Sequence, residues 1–394
     1  MLLRNAHLID GTGAVHDRLD IAIAGEQISA LGRSLPPQEE VWDLQGAAVI
    51  PGLINAHVHL FLDAGPDPLS TARDEPAYLI LQAARRAEAM LRAGITTARD
   101  MGGIDHADLA LKRAIREGLT PGPRLLVSGQ LIAMTGGHGW SLGVEADGAD
   151  ALRRAARVQI KAGVDVVKLM ATGGVMTPGV EPGAAALTEE EMRAAVEEAH
   201  KASRLTAAHA QGTLGIGNAL RAGIDTIEHG IYLTEALCQE MARRQVFLVP
   251  TLAATHLILV KGEESGIPAY VVEKVRRVTE AHRNSARMAH ELGVPIAMGN
   301  DAGTPFNHHD DVVTELGLLL EVGFSPMEAL VAATREGARL LRLDHEIGTV
   351  EVGKQADLVV LAGNPLQDIA AVGQVRAVIQ AGRKVVDRST AGPC

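Results

Sequence analysis

The sequence predicts an α/β fold: a (β/α)8 barrel of the TIM type over residues 51–345, with a small β-sandwich domain built jointly from 1–50 and 346–394. Three observations carry this reading. Short, almost continuously apolar runs alternate with amphipathic stretches through the middle of the chain, glycine-centred turns join them, and the two ends share a different pattern of short alternating runs among glycines. Runs that are apolar at nearly every residue suit parallel strands covered on both faces. Eight of them with helices between close into a barrel; an open doubly wound sheet is the alternative.

The small domain comes first along the chain. Ile21-Ala22-Ile23 and Ile28-Ser29-Ala30-Leu31 are separated by Gly25, with Gly11 and Gly13 before them. A similar pattern returns over 347–387, around Gly353, Gly363 and Gly382, so the two ends read as one β unit interrupted by the barrel. Barrel strands are expected at 49–60, 94–100, 124–129, 164–170, 205–210, 225–230, 246–252 and 295–301. Helices are expected at 78–92, 149–161, 189–202 and 271–292. Thr188 with Glu191, and Ser325 with Glu328 behind Pro326, have the spacing of capping boxes. Ala93-Gly94-Ile95, Ala162-Gly163-Val164, Ala222-Gly223-Ile224 and Leu292-Gly293-Val294 read as turns from helix to strand, because glycine tolerates the left-handed conformation that ends a helix.

Composition narrows the function. Lys and Arg number 37 against 48 Asp and Glu, a net charge of −11, and aromatics are 2%. Such a chain is poorly matched to nucleic acid or to an anionic membrane surface. Cys238 and Cys394 are too few for a disulfide framework and are expected to be reduced thiols. The first residues lack the apolar core of a signal peptide, and no run approaches the ~20 apolar residues of a membrane span. The expectation is a cytoplasmic enzyme, a homo-oligomer, acting on a small molecule.

The chemistry begins at His57-Val58-His59, closing the first apolar run. Residues two apart on a strand point to one face, so both imidazoles reach one point, and imidazole suits Zn²⁺ and its neighbours. Taken alone, two solvated histidines explain the pair equally well. Lys168 sits near the end of a buried run, where desolvation lowers its pKa or demands a partner. Its plain reading is a lysine snorkelling to the barrel mouth; the sharper one is an amine that adds to CO₂, giving a carbamate whose oxygens bridge two metals. His209, His229 and Asp301 each close a strand of their own. All of these groups fall at the C-terminal ends of strands 1, 4, 5, 6 and 8, where barrel active sites form.

With these residues in view, the chain resembles the amidohydrolase superfamily over essentially its whole length. The entry Pro51-Gly52-Leu53-Ile54-Asn55-Ala56-His57-Val58-His59 and the exit Gly348-Thr349-Val350-Glu351-Val352-Gly353-Lys354-Gln355-Ala356-Asp357-Leu358-Val359 carry the likeness. The resemblance implies two divalent metal ions, zinc by default. His57 and His59 would hold the more buried ion with Asp301, His209 and His229 the other, and N6-carboxylated Lys168 would bridge them. Within the superfamily the chain is most similar to the imidazolonepropionase-like branch containing prolidase-type dipeptidases and amidases. That likeness rests on Met134-Thr135-Gly136-Gly137-His138-Gly139, Lys168-Leu169-Met170-Ala171-Thr172-Gly173-Gly174 and Asp301-Ala302-Gly303-Thr304-Pro305-Phe306. Trp140 departs from the acidic residue often found after this histidine loop, and an indole there makes the pocket rim more apolar.

The expected reaction is hydrolysis of amide bonds in Xaa-Pro-type dipeptides or N-acyl amino acids. A metal-bridged hydroxide would attack the carbonyl, Asp301 would carry its proton to the leaving nitrogen, and His138 would donate a hydrogen bond to the carbonyl. Tyr232, Trp140 and Arg99 are candidate substrate contacts, with a supporting ion pair as the other reading of Arg99. His308 and His309 are expected on a solvated loop, and His200, His282 and His290 on helix surfaces. Two enzymatic alternatives stand beside this: an amidase, esterase or lactonase for bulky aromatic or xenobiotic substrates, and a mononuclear deaminase or cyclic-imine hydrolase, against which Lys168 argues. A non-enzymatic scaffold would be expected to have lost some of the six ligands.

Overall fold

A computed structural model describes residues 1–72 and 74–388, so Cys394 and the last residues of the expected small domain lie outside it. The N-terminal end forms β1 (Leu2–Ile9), β2 (Val15–Ala24) and β3 (Gln27–Gly32), an antiparallel meander, with β4 (Val41–Asp43) and β5 (Ala48–Pro51) parallel to β1.

Next come β6 (Leu53–Val58), β7 (Ile95–Asp100) and β8 (Arg124–Val127), all parallel. A second parallel set holds β9 (Leu131–Ala133), β10 (Gly143–Glu145), β11 (Val166–Met170), β12 (Leu205–Ala210), β13 (Thr226–His229) and β14 (Phe247–Val249), in the order β10-β9-β11-β12-β13-β14. Both capping boxes form, at Thr188–Glu191 and Ser325–Glu328. The four expected turn glycines, Gly94, Gly163, Gly223 and Gly293, all have positive φ.

Three expected strands differ from the structure, each for a backbone reason. The first run divides at Gly52, where a Cβ would overlap the Thr96 side chain; β5 joins the small sheet and β6 the barrel. The third divides at Gly129, whose φ of +62° turns the chain between β8, paired with β7, and β9, paired with β11. The eighth, 295–301, is no regular strand. Pro295 lacks an N–H, and Asp301 leaves the β region with φ +60°. The segment still closes the ring: Leu248 donates to Pro295 O (2.9 Å) on one side, and Ala56 donates to Met298 O (2.9 Å) on the other.

The C-terminal strands β15 (Leu358–Leu361), β16 (Val375–Gln380) and β17 (Arg383–Asp387) return to the first sheet. Its order is β17-β16-β15-β5-β1-β2-β3, with β4 beside β1, and Ile50 faces Val359 across the join. Leu3, Leu8, Ile21, Val49, Val360 and Ile379 give this sheet its own apolar cluster, drawn from both ends of the chain. Among the described residues, no helix is long and apolar enough to cross a membrane.

Candidate metal centre

The parallel strands deliver their C-terminal residues to one buried cavity. His57, His59, His138, Lys168, His209, His229 and Asp301 all line it. His57, His229 and Asp301 each offer a ligand atom, and these atoms lie within 4.8 Å of one another. His59 Nε2 is 3.4 Å from Asp301 Oδ1, and the His209 ring centre is 4.6 Å from that of His229. Two of the group, His229 (φ +72°) and Asp301 (φ +60°), hold left-handed backbone conformations that non-glycine residues seldom adopt. Such conformations persist where the surrounding structure over-determines them.

Hydrogen bonds fix which nitrogen is free in three of the rings, those of His57, His209 and His229. His57 Nδ1 donates to Glu228 Oε2 at 2.7 Å, leaving its Nε2 lone pair 3.3 Å from Asp301 Oδ1. The Thr251 hydroxyl donates to Pro250 O and so accepts from His229 Nδ1 (2.6 Å), which frees Nε2 of that ring. His209 Nε2 donates to Gly173 O at 2.9 Å, which frees Nδ1 instead. Asp301 Oδ1 is buried with no hydrogen-bond partner among the described residues. The free nitrogens of His57 and His229 and a carboxylate oxygen of Asp301 thus converge. That donor set is the one a Zn²⁺-like cation takes, so the residues fit a divalent metal.

Charge follows burial. Desolvation holds His57, His209 and His229 well below the ordinary histidine range and His59 and His138 at about 3, so all five rings are neutral near pH 7. Burial also lowers Lys168 to about 8, against the opposing pull of Glu228 and Asp301. Asp301 is pushed up to about 7 by burial, partly offset by Lys168. The remaining walls are mostly apolar, among them Leu62, Leu131, Leu142, Met170 and Ile258.

An amidohydrolase family model matches residues 48–385. The chain belongs to the amidohydrolase family. It is 29% identical over 406 aligned residues to an ochratoxinase of Aspergillus niger, covering 95% of this chain and 81% of that protein. A prolidase solved in complex with N-methylphosphonate-L-proline superposes with a TM-score of 0.91 at 31% identity, over 98% of this chain and 99% of that one. A Xaa-Pro dipeptidase with methionine bound in its active site superposes at 0.90 with 30% identity, over 97% and 98% of the two chains. The likeness is to the prolidase-like branch of the family.

Several residues of this amidohydrolase lie elsewhere than the sequence suggests. Arg99 is absent from the cavity lining and forms the ion pair that is its other reading: it is fully buried inside the barrel, pairing with Glu228 (2.8 Å) and donating to Ala56 O and Thr226. Tyr232 lies outside the cavity lining, in a shallow surface pocket, and its neighbour Ile231 takes the inner place. Trp140 is 44% exposed and lines an adjoining outer cavity. His282 is no surface residue; it is buried at the cavity wall, donating to Pro250 O at 2.6 Å. Its place on the apolar stripe Val271-Val275-Val278 is a signal that the helical spacing contains. His309 is likewise buried, bonded to His59 O, whereas His308 is exposed. Glu228 went unnoticed because strand alternation sets it opposite His229; the left-handed turn at His229 brings both inside.

Proposed function

We propose that this amidohydrolase cleaves amide bonds of N-acyl amino acids or Xaa-Pro-type dipeptides. Its metal ions would be held by His57, His59, His209, His229 and Asp301 with carboxylated Lys168 as bridge. The observation carrying this reading is the convergence of His57, His229 and Asp301 within 4.8 Å, beside Lys168 at the floor of an apolar cavity. The prolidase and ochratoxinase among its relatives support amide scission as the reaction class. Divalent cations bound there, zinc on this donor set, supply Lewis acidity to a carbonyl and acidify water.

The chain's own groups do the rest. At about 8, the Lys168 amine is partly neutral near pH 7. Its lone pair adds to CO₂ and the nitrogen releases a proton, which turns a buried cation into a bidentate anion among neutral imidazoles. Asp301, whose buried Oδ1 has no hydrogen-bond partner among the described residues, would accept a proton from the attacking water and return it to the leaving nitrogen. The Thr177 hydroxyl accepts from Gly139 N–H (3.3 Å) and shares a hydrogen bond with His138 Nδ1 (2.8 Å), which orients the ring; the tautomer in which Thr177 donates puts the His138 proton on Nε2. That N–H serves as donor to the substrate carbonyl as negative charge develops there.

The apolar walls favour a second reading, an amidase, esterase or lactonase acting on bulky aromatic or xenobiotic substrates. One experiment separates the two. Protein prepared with zinc and bicarbonate is assayed for amino-acid release from Xaa-Pro, other dipeptides and N-acyl amino acids, with Asp301→Asn as control. Release that falls by roughly 10²–10⁴-fold in the control supports the first reading. Silence across the panel, from protein that holds two equivalents of metal, overturns it and directs the search to esters and lactones.

A further inference from the structure

One helix grips the backbone behind two of the cavity histidines. Along Ala269–Glu291, Tyr270, Lys274, Val278 and His282 recur every four residues and share a face, and the last three are buried. The Lys274 ammonium donates to Thr177 O (2.7 Å), Val180 O (2.6 Å) and Gly174 O (3.4 Å), while Tyr270 Oη donates to Met176 O at 2.9 Å. All of these carbonyls lie in the 173–180 segment that follows β11. The same segment supplies Gly173 O, which accepts from His209 Nε2 at 2.9 Å. A buried ammonium must have its donors met, so the carbonyls of this segment are drawn to one point. Further along the face, His282 Nε2 donates to Pro250 O at 2.6 Å, the carbonyl that also accepts from the Thr251 hydroxyl (2.7 Å). Thr251 Oγ1 in turn receives His229 Nδ1 at 2.6 Å. Thr251 sits at φ +53°, a conformation its surroundings must maintain.

We propose that Lys274 and His282 are positioning residues for the two histidines of one metal subsite. Lys274 sets His209 through the 173–180 segment, and His282 sets His229 through Pro250 and Thr251. The inference rests on the metal-centre reading above. A ring whose donating nitrogen is held to a fixed oxygen presents its other nitrogen to an arriving cation without reorganisation. With either tether lost, the ring exchanges tautomers, and part of its population offers the ion a protonated nitrogen.

The test compares the wild type with Lys274→Met, with His282→Asn, whose amide stops short of Pro250 O, and with His282→Gln, whose amide reaches it. In metal-free protein labelled with ¹⁵N-histidine, long-range proton–nitrogen spectra read the tautomer of each ring. The wild type is expected to carry the His209 proton on Nε2 and the His229 proton on Nδ1. Lys274→Met is expected to mix the tautomers of His209 and leave those of His229, and His282→Asn to do the reverse. His282→Gln is expected to restore the wild-type pattern. Titration of zinc against a chelator is expected to show one equivalent weakened by about tenfold in Lys274→Met and in His282→Asn, with the other unchanged. Arg277→Ala, which removes only an exposed ion pair between this helix and Glu181, is expected to alter neither readout. Wild-type tautomers in both losing variants overturn the proposal, as does an equal weakening of both equivalents. The His282 pair decides alone should Lys274→Met fail to fold. Tautomer changes in a protein that takes up no zinc sink the metal-centre reading and keep the two tethers; zinc uptake with unaltered tautomers sinks the tethers alone.

Discussion

Glu228 and His57 face each other across 2.7 Å at the floor of the barrel, carboxylate Oε2 to imidazole Nδ1, with neither side chain reaching solvent. The other carboxylate oxygen is held by Arg99 (2.8 Å) and by the Thr226 hydroxyl (2.6 Å). One buried anion thus fixes the tautomer of a candidate ligand and neutralises a buried guanidinium.

Glu228→Gln removes the charge while keeping the shape. Loss of a carboxylate behind a ligating histidine typically costs about 10–100-fold in metal affinity, measurable by competition with a chromogenic chelator. Arg99 is left buried without its counter-charge, for which about 3–5 kcal/mol of destabilisation is expected in denaturant titration. Unchanged metal affinity in the variant would show that Glu228 serves the fold and not the site.

Carboxylation of Lys168 has a direct signature. Protein equilibrated with ¹³C-bicarbonate is expected to give a carbamate carbon resonance that is absent from Lys168→Ala, and the variant is expected to hold fewer equivalents of metal. Equal metal content and turnover in the two proteins would refute the bridge.

Gly174 packs against the His138 ring so closely that a Cβ would overlap it. Gly174→Ala is expected to displace the imidazole and cut kcat by roughly 10²–10³-fold, as loss of an oxyanion donor does, with metal content unaltered. Wild-type kcat in the variant would release His138 from any part in the reaction.

Glu315 lies sealed behind the cavity, its two oxygens accepting N–H groups from Leu252 (3.0 Å) and Ala253 (2.6 Å). Burial pushes its carboxyl from 4.5 up to about 8. The folded chain then keeps a proton that the unfolded chain gives up, so its contribution to stability is present below pH 4.5 and is lost as pH rises through about 8. Across that window the wild type is expected to lose unfolding free energy relative to Glu315→Gln, read by urea denaturation. A gap between the two that is constant with pH would contradict the raised value.

Local chemistry made much of this legible. The turn glycines and capping boxes announce themselves through residue type, because each answers a backbone requirement a few residues long. The strand-end histidines do the same through their shared position. What stayed hidden depends on partners distant in sequence. The breaks at Gly52 and Gly129 arise from crowding by Thr96, Gln159 and Val164. Arg99 reads as a pocket residue until Glu228, on another strand, claims it. His309 looks solvated until the backbone of His59 is set beside it.

The join between β5 and β15 links the two ends of the chain. Ile50 and Val359 are partners across more than three hundred residues, so a nascent chain exposes β5 long before β15 exists. Contacts that distant are entropically late. Gly52 N donates to Asp357 O at 2.7 Å beside this join, so the barrel entry and the C-terminal strands are tied at one place. Only β15–β17 depend on that distant pairing, and a chain truncated before β15 would carry the apolar edge of β5 open to other copies of itself.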